Sequence, residues 1–312
     1  MNTATTQQTG RHELKARKVR FDLEQTPLHW IPGDALASYM TNAIHLLLPE
    51  GELWFCRVYN KALPLVNDAE LRADVEGFIR QEAVHSRVHS AAQKYLNRHE
   101  IDCEPFLERV RFLFKTLLGD EPLGQKFLQL NMFERSWLIT RVGIIGAVEH
   151  FTGILGQWAM DNTSWNKADP VMADLFKWHL AEEVEHRTVA YDLHRHLCKT
   201  RIGFYLSRQL LMAFVFPLFI YFVFTGTRFL AAQDKDAEVR KIGRWGWLKM
   251  TRKMERCGRN TDHVPSFSFL LKATLRWLSP RFHPITEGDT AQALAYIARS
   301  PAAQRAEAEA GV

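Results

Sequence analysis

Apolar positions recur along most of this chain at intervals of three and four, the spacing of helices that bury one face. Turn signals at Pro49-Glu50-Gly51, Pro64 to Asp68, Gly119 to Pro122 and Asp161 to Pro170 divide the pattern. They predict helices over about 34–48, 50–64, 69–97, 104–118, 131–160 and 171–198, with Asp34 as the first N-cap. Two later regions differ. Residues 209–227 carry no charge and are bracketed by Arg208 and Arg228, within an apolar helix expected over 203–230. Residues 235–260 hold nine Lys/Arg against three Asp/Glu. From Asp289 an Ala-rich polar helix is expected. Only 17 Gly and 12 Pro punctuate 312 residues, which favours helix over a many-stranded fold, and the expected class is all-α.

Three parts follow from this pattern: a basic arm over 1–33 with Arg11, Lys15, Arg17, Lys18 and Arg20, a helical bundle over 34–200, and a helical extension over 201–312. Cys56, Cys103, Cys198 and Cys257 form no C-x-x-C pair, so neither a disulfide framework nor a cysteine zinc site is indicated. The polar, basic N-terminus lacks the apolar core of a signal peptide, and a cytoplasmic location is expected. The 209–227 window just suffices to span a bilayer, although Pro217 interrupts it. With the basic Arg244-Trp-Gly-Trp-Leu-Lys249 stretch following, it either meets an anionic cytoplasmic membrane, spanning it or lying on it, or packs on the bundle. No nucleic-acid recognition motif accompanies the basic residues, so nucleic acid is not an expected partner.

Chemistry enters with Glu82-Ala-Val-His85 and Glu183-Val-Glu-His186, two E-x-x-H motifs that set a carboxylate and an imidazole one turn apart on one helix face. With 21 Glu and 13 His, chance supplies about one such match, so context has to decide. Each motif interrupts a stripe that should be apolar. One runs Val75, Phe78, Glu82, His85, His89, Ala92, Leu96; the other runs Phe176, His179, Glu183, His186, Ala190, Leu193, Leu197, at a constant offset of 101. A second pair of stripes carries Glu52 and Glu149 at an offset of 97. Four helices thus turn Glu, Glu-x-x-His, Glu and Glu-x-x-His inward, where unpaired carboxylates would cost several kcal/mol. Four carboxylates balance two divalent ions, and oxygen-rich ligation with imidazole suits iron, or manganese as the alternative, better than zinc. Gly143, Gly146, Gly153 and Gly156 thin the Glu149 helix, either for close helix packing or to leave room for dioxygen and substrate. His45, His150 and Glu185 read as structural or solvated, His89 as a support to the ligands or an extra ligand, and Tyr59 as a core residue or a hydrogen-bond donor to the site.

This arrangement resembles the ferritin-like di-iron carboxylate proteins over about 34–198, and His179-x-x-x-Glu183-x-x-His186 resembles the three-histidine variant of the p-aminobenzoate N-oxygenase family. Arg17-Lys-Val-Arg-Phe and Leu48-Pro-Glu-Gly-Glu52 are similar to a bacterial family known as predicted metal-dependent hydrolases. The resemblance implies Glu52, Glu82, His85, Glu149, Glu183 and His186 as ligands, with His179 as a seventh. Pro49-Glu50-Gly51 is expected to break or kink the first helix, which leaves Glu50 as an alternative to Glu52. The implied activity is oxidation of a small organic or lipid-like substrate by a non-haem di-iron oxygenase or oxidase, with dioxygen as co-substrate and an external electron donor. A dinuclear metal-dependent hydrolase and a non-enzymatic iron-binding or ferroxidase protein are the alternatives.

Overall fold

Asp34 accepts the Ala37 N–H at 3.0 Å and starts α1 (Ala35–Ala62) where the sequence places an N-cap. The structure, a computed structural model, describes residues 12–124 and 131–310; residues 1–11 of the predicted arm, Arg11 among them, lie outside the described residues. The expected division of the first helix at Pro49 does not occur, because α1 is continuous. Proline removes the N–H that the His45 carbonyl would accept. Gln93 Nε2, on the neighbouring helix, donates to that carbonyl instead at 3.3 Å, and Ser86 Oγ donates to the Pro49 carbonyl at 2.9 Å.

The helices that follow are α2 (Ala69–Arg98), α3 (Glu104–Arg111), α4 (Asn131–Asp161), α5 (Pro170–His186) and α6 (Val189–Leu197). Then come α7 (Arg201–Ala231), α8 (Ala237–Arg240), α9 (Trp247–Asn260), α10 (Phe267–Trp277), α11 (Thr290–Ile297) and α12 (Pro301–Ala310). No strand occurs among the described residues, and the fold is all-α. Asp68 and Asp169 cap α2 and α5 with their carboxylates. Beyond α3 the chain winds on as a π-helix over Phe112–Leu117, a wider turn that sets Phe114 against Gly51 of α1.

A single helix expected over 171–198 is divided after His186. The Arg187 guanidinium donates to the Val184 carbonyl, which the Thr188 N–H would take in an unbroken helix, and also to the carbonyls of Pro284, Ile285 and Gly288. The C-terminal Ala-rich stretch is likewise two helices, with Ser300 Oγ accepting from the Ala303 N–H at the start of the second.

Helix α1 packs along α2 and α4 along α5, while α7 covers α1 and α4 from outside. The irregular segment before α1 crosses this bundle, burying Trp30 and Ile31 and setting Leu14 against Gly77 of α2. The four glycines of α4 serve close packing. A Cβ at Gly156 would lie 2.3 Å from the Leu180 carbonyl oxygen, one at Gly153 3.1 Å from Arg187 Cβ, and one at Gly143 2.4 Å from a Leu211 methyl. Gly146 faces the Ala190 carbonyl at 3.5 Å, and none of the four lines the cavity described below.

Since a methyl at position 156 meets backbone, Gly156→Ala should destabilise despite its gain of about 1 kcal/mol in helix propensity. A net loss of about 1–2 kcal/mol, read as a lower midpoint in urea denaturation, is the expected outcome.

Candidate metal centre

All seven sequence-predicted side chains converge in the space between α1, α2, α4 and α5, and all are buried. They form two adjacent groups, Glu52 with His85 and His179, and Glu82 with Glu149, Glu183 and His186. Glu183 faces both. Its Oε1 is 2.7 Å from His179 Nε2 and 3.5 Å from His85 Nδ1, whereas its Oε2 is 3.2 Å from His186 Nε2. Glu82 Oε1 lies between the two E-x-x-H imidazoles, 3.6 Å from His85 Nδ1 and 3.3 Å from His186 Nε2. Glu149 Oε2 is 3.3 Å from His186 Nε2, and Glu52 Oε1 is 3.6 Å from His179 Nε2. Glu50 points elsewhere and pairs with Lys115 at 3.1 Å, so Glu52 is the carboxylate that α1 brings inward.

The chemistry of this donor set fits metal. Both carboxylate oxygens of Glu52, Glu82 and Glu149, together with His85 Nδ1, are buried without a hydrogen-bond partner among the described residues. Burial, and then the charges of neighbouring carboxylates, push Glu52 well above the usual carboxylate range and Glu149 up to about 8. Glu82 is raised by the same causes. Burial acts in the same direction on Glu183, yet the charge of His186 and its hydrogen bond, with the imidazoles of His179 and His85 beside it, hold it well below that range. His85 and His186 are raised, because surrounding carboxylates overcome the opposing effect of burial. Protons and cations therefore compete for one negative cluster.

Two residues that the sequence pattern missed fix the imidazoles. Glu182 Oε2 accepts from His85 Nε2 at 2.8 Å, and Gln81 Oε1 accepts from His186 Nδ1 at 3.0 Å. Each therefore holds the histidine of the other E-x-x-H helix and leaves its second nitrogen facing the carboxylates. Both stand one residue before the motif glutamate, again at the offset of 101, and that repeated polar position was the available signal. Arg17 Nη1 donates to Glu182 at 2.6 Å and to Glu185 at 3.0 Å, and Gln81 Nε2 donates to Glu185 at 2.9 Å. The segment before α1 thereby neutralises the carboxylates behind the site. Glu185, expected to be structural or solvated, is tied into this network.

His179 is held by a chain of imidazoles. His179 Nδ1 is 2.5 Å from His89 Nε2, His89 Nδ1 is 2.7 Å from His45 Nδ1, and His45 Nε2 is 3.3 Å from Met172 Sδ. Both ends of the chain, Met172 Sδ and Glu183 Oε1 at 2.7 Å from His179 Nε2, only accept, and three neutral rings bring three protons to its four contacts. One contact is therefore left without a proton, and a cation at His179 Nε2, toward Glu52 and Glu183, would complete the chain. Burial lowers all three histidines, to about 3 for His45 and about 4 for His179, which keeps them neutral. His89 thus reaches the site through His179. His150 is structural, bonded to the Ala273 carbonyl between Trp277 and Phe282. Tyr59 stacks on Phe78, and its hydroxyl has no hydrogen-bond partner among the described residues.

A cavity of about 210 Å³ opens beside Glu52, Glu82, Glu149, His179 and Glu183. Its walls come from α1, α4, α5, α7 and the π-helical turn, and they are almost wholly apolar. Thr41 and Thr152 line it, but their hydroxyls donate to carbonyls of their own helices. Asp34, Cys257 and His263 also cluster, where Asp34 Oδ2 takes hydrogen bonds from both partners and fastens the start of α1 to α9 and the loop beyond. Burial pushes the Cys257 thiol up to about 12, which suits a hydrogen-bond donor better than a metal thiolate.

Helices that enclose seven carboxylate and imidazole groups, most of their oxygens unpaired, define a metal-binding all-α protein. The chain belongs to the family described as Predicted metal-dependent hydrolase, which it matches over residues 15–288. That description is of a metal-dependent enzyme, in agreement with the buried groups. The chain matches no curated protein and no solved structure.

Removing the shared carboxylate, as in Glu183→Ala, should abolish most bound metal while the helix content survives, measured by elemental analysis and circular dichroism. Metal uptake must also displace protons from Glu149 and Glu52. Affinity should therefore rise with pH through about 8, the level to which Glu149 is pushed, by as much as about tenfold per unit for each proton displaced. Calorimetric titration in buffers of different ionisation enthalpy would count those protons.

Proposed function

We propose that this chain binds two divalent ions, iron before manganese, through Glu52, His85 and His179 on one side and Glu82, Glu149 and His186 on the other, with Glu183 between them. In this reading it is an oxidase or oxygenase that uses dioxygen and electrons from an external donor to oxidise an apolar organic molecule. The observation that carries the reading is the cavity wall: beyond the ligand groups it offers no free hydroxyl, amide or cation to a developing oxyanion. Iron, when bound, supplies the reduction of dioxygen.

The chain's own residues do the rest. Gln81 and Glu182 fix the imidazole rings from behind. The His45–His89–His179 chain turns His179 Nε2 toward Glu52 and Glu183. Apolar side chains of α1, α4 and α7 exclude water from the volume where substrate sits. The family's description supports a second reading, hydrolysis by metal-activated water, which needs ligands of the same kinds.

Protein loaded anaerobically with ferrous ion, about two per chain, should consume oxygen when mixed with it, develop a new absorption band, and lose both responses in Glu183→Ala. Hydrolysis of an aryl ester or phosphoester by manganese- or zinc-loaded protein under argon, at a rate unchanged by air, would establish the hydrolase instead. Oxygen uptake that yields only ferric mineral, with no organic product from any apolar substrate, would mark a ferroxidase.

A further inference from the structure

Apart from Tyr221, the outer face of α7 packs on no helix among the described residues. Ile202, Leu206, Leu210, Phe214, Leu218 and Tyr221 follow one another at intervals of four and three and are 39–72% exposed, and the stripe contains no charge. The helix is long and apolar enough to cross a membrane, but its other face packs on α1 and α4, the helices that carry Glu52 and Glu149. Lifting α7 into a spanning position would open the metal centre. A stripe of this kind fits a helix lying in the plane of a membrane surface.

Two neighbours widen the face. Leu271 and Leu275 of α10 and Leu278 just beyond it are exposed, and Tyr205 of α7 donates to the Leu278 carbonyl at 3.0 Å. Trp247, at the start of α9, stacks on Tyr221 with ring centroids 6.0 Å apart. Cations flank the face. Arg244, Lys249, Arg252, Lys253 and Arg256 follow near Trp247 and make no ion pair among the described residues, while Lys199 and Arg201 stand exposed at the Ile202 end. A second copy of the chain on this face would bring like charges together, whereas anionic headgroups would neutralise them.

The face also adjoins the metal centre. Leu218 is 39% exposed on the stripe and lines the cavity that reaches Glu52 and Glu149. A second cavity, of about 470 Å³, shares Leu113, Leu218 and Phe222 with the first and is walled by Phe112 and Tyr221 nearer the surface.

We infer that α7, α10 and the start of α9 seat the protein on an anionic lipid bilayer, and that its substrate is an apolar molecule dissolved in that bilayer, admitted past Leu218. The seating stands alone; the substrate class rests on the function proposed above.

The test uses the full chain and vesicles of phosphatidylcholine with and without about 30% phosphatidylglycerol. The protein should float with the anionic vesicles. Leu206→Glu/Leu210→Glu/Phe214→Glu, which alters no cavity residue, should bind at least about tenfold more weakly, with metal content and circular dichroism unchanged. Lys249→Glu/Lys253→Glu should lose the preference for anionic lipid. Failure of the wild type to float, equal flotation of the triple variant, or a dimer that the triple variant dissociates would overturn the seating. For access, in a Trp245→Phe/Trp247→Phe background a dibrominated fatty acid carried in the vesicles should enter the cavity and quench Trp54, Trp158 and Trp165 in its wall, an effect that needs near contact. Leu218→Phe, which adds bulk without a new indole, should slow that quenching about tenfold; an unchanged rate would overturn the access route. Neither readout involves turnover, so both are separable from failure of the proposed oxidation.

Discussion

Glu183 holds the two halves of the molecule to one geometry. One oxygen faces His179 and His85, the other faces His186, and three more carboxylates crowd the same dry space. Carboxylates this close cannot all be ionised without cations among them, and hydrogen bonds supplied by the protein reach only Glu183 in quantity. The unpaired oxygens of Glu52, Glu82 and Glu149 are a reservoir of unfavourable energy that metal ions relieve. The other features of the bundle keep those groups in place while that energy is stored.

Their support is crossed. Gln81 on α2 holds His186 on α5, and Glu182 on α5 holds His85 on α2, so neither E-x-x-H helix can rotate without disturbing the imidazole of the other. Glu182 would add a further buried negative charge, which Arg17 from the preceding segment offsets. On the far side, close approach at Gly156 and Gly153 draws α4 against α5 and brings Glu149 within reach of His186. The π-helical turn and α7 then close the cavity with apolar side chains.

Much of this was legible because charge in an apolar stripe is costly, and a sequence retains such residues only where something repays the cost. Glu52, Glu82, His85, Glu149, Glu183 and His186 stood out on that ground, and the offsets of 101 and 97 paired them, whereas His179, whose counterpart is Phe78, entered through the resemblance to three-histidine sites. The Pro49 break was misjudged because relief came from Gln93, 44 residues away, whose role no local pattern announces. The division after His186 depends in the same way on Arg187 reaching the loop at 284–288. Gln81 and Glu182 escaped notice because they flank the stripe, where polar residues ordinarily meet solvent. Leu14, Arg17 and Trp30 lie in a segment without periodicity, so only the folded chain places them against the bundle.

The two halves of the site are related but unequal, and the inequality has a structural source. His179 occupies the place that Phe78 holds in the other half, where the Phe78 ring packs edge-on against His186 at 4.6 Å. Gaining an imidazole at 179 creates a second problem, since a buried ring needs a partner for its remote nitrogen and must not take up a proton. His89, His45 and Met172 meet both needs, because each remote nitrogen of the chain has a partner and burial keeps every ring neutral. The position equivalent to His89 in the other half is Ala190, which has no ring to support. Histidine at 89 with histidine at 179, and alanine at 190 with phenylalanine at 78, are therefore two internally consistent solutions. The family match begins at Lys15, whose carbonyl accepts from Gln81, and ends at Gly288, whose carbonyl accepts from Arg187. What the family shares thus includes both segments that brace the residues next to the metal centre, as well as the four helices that carry it.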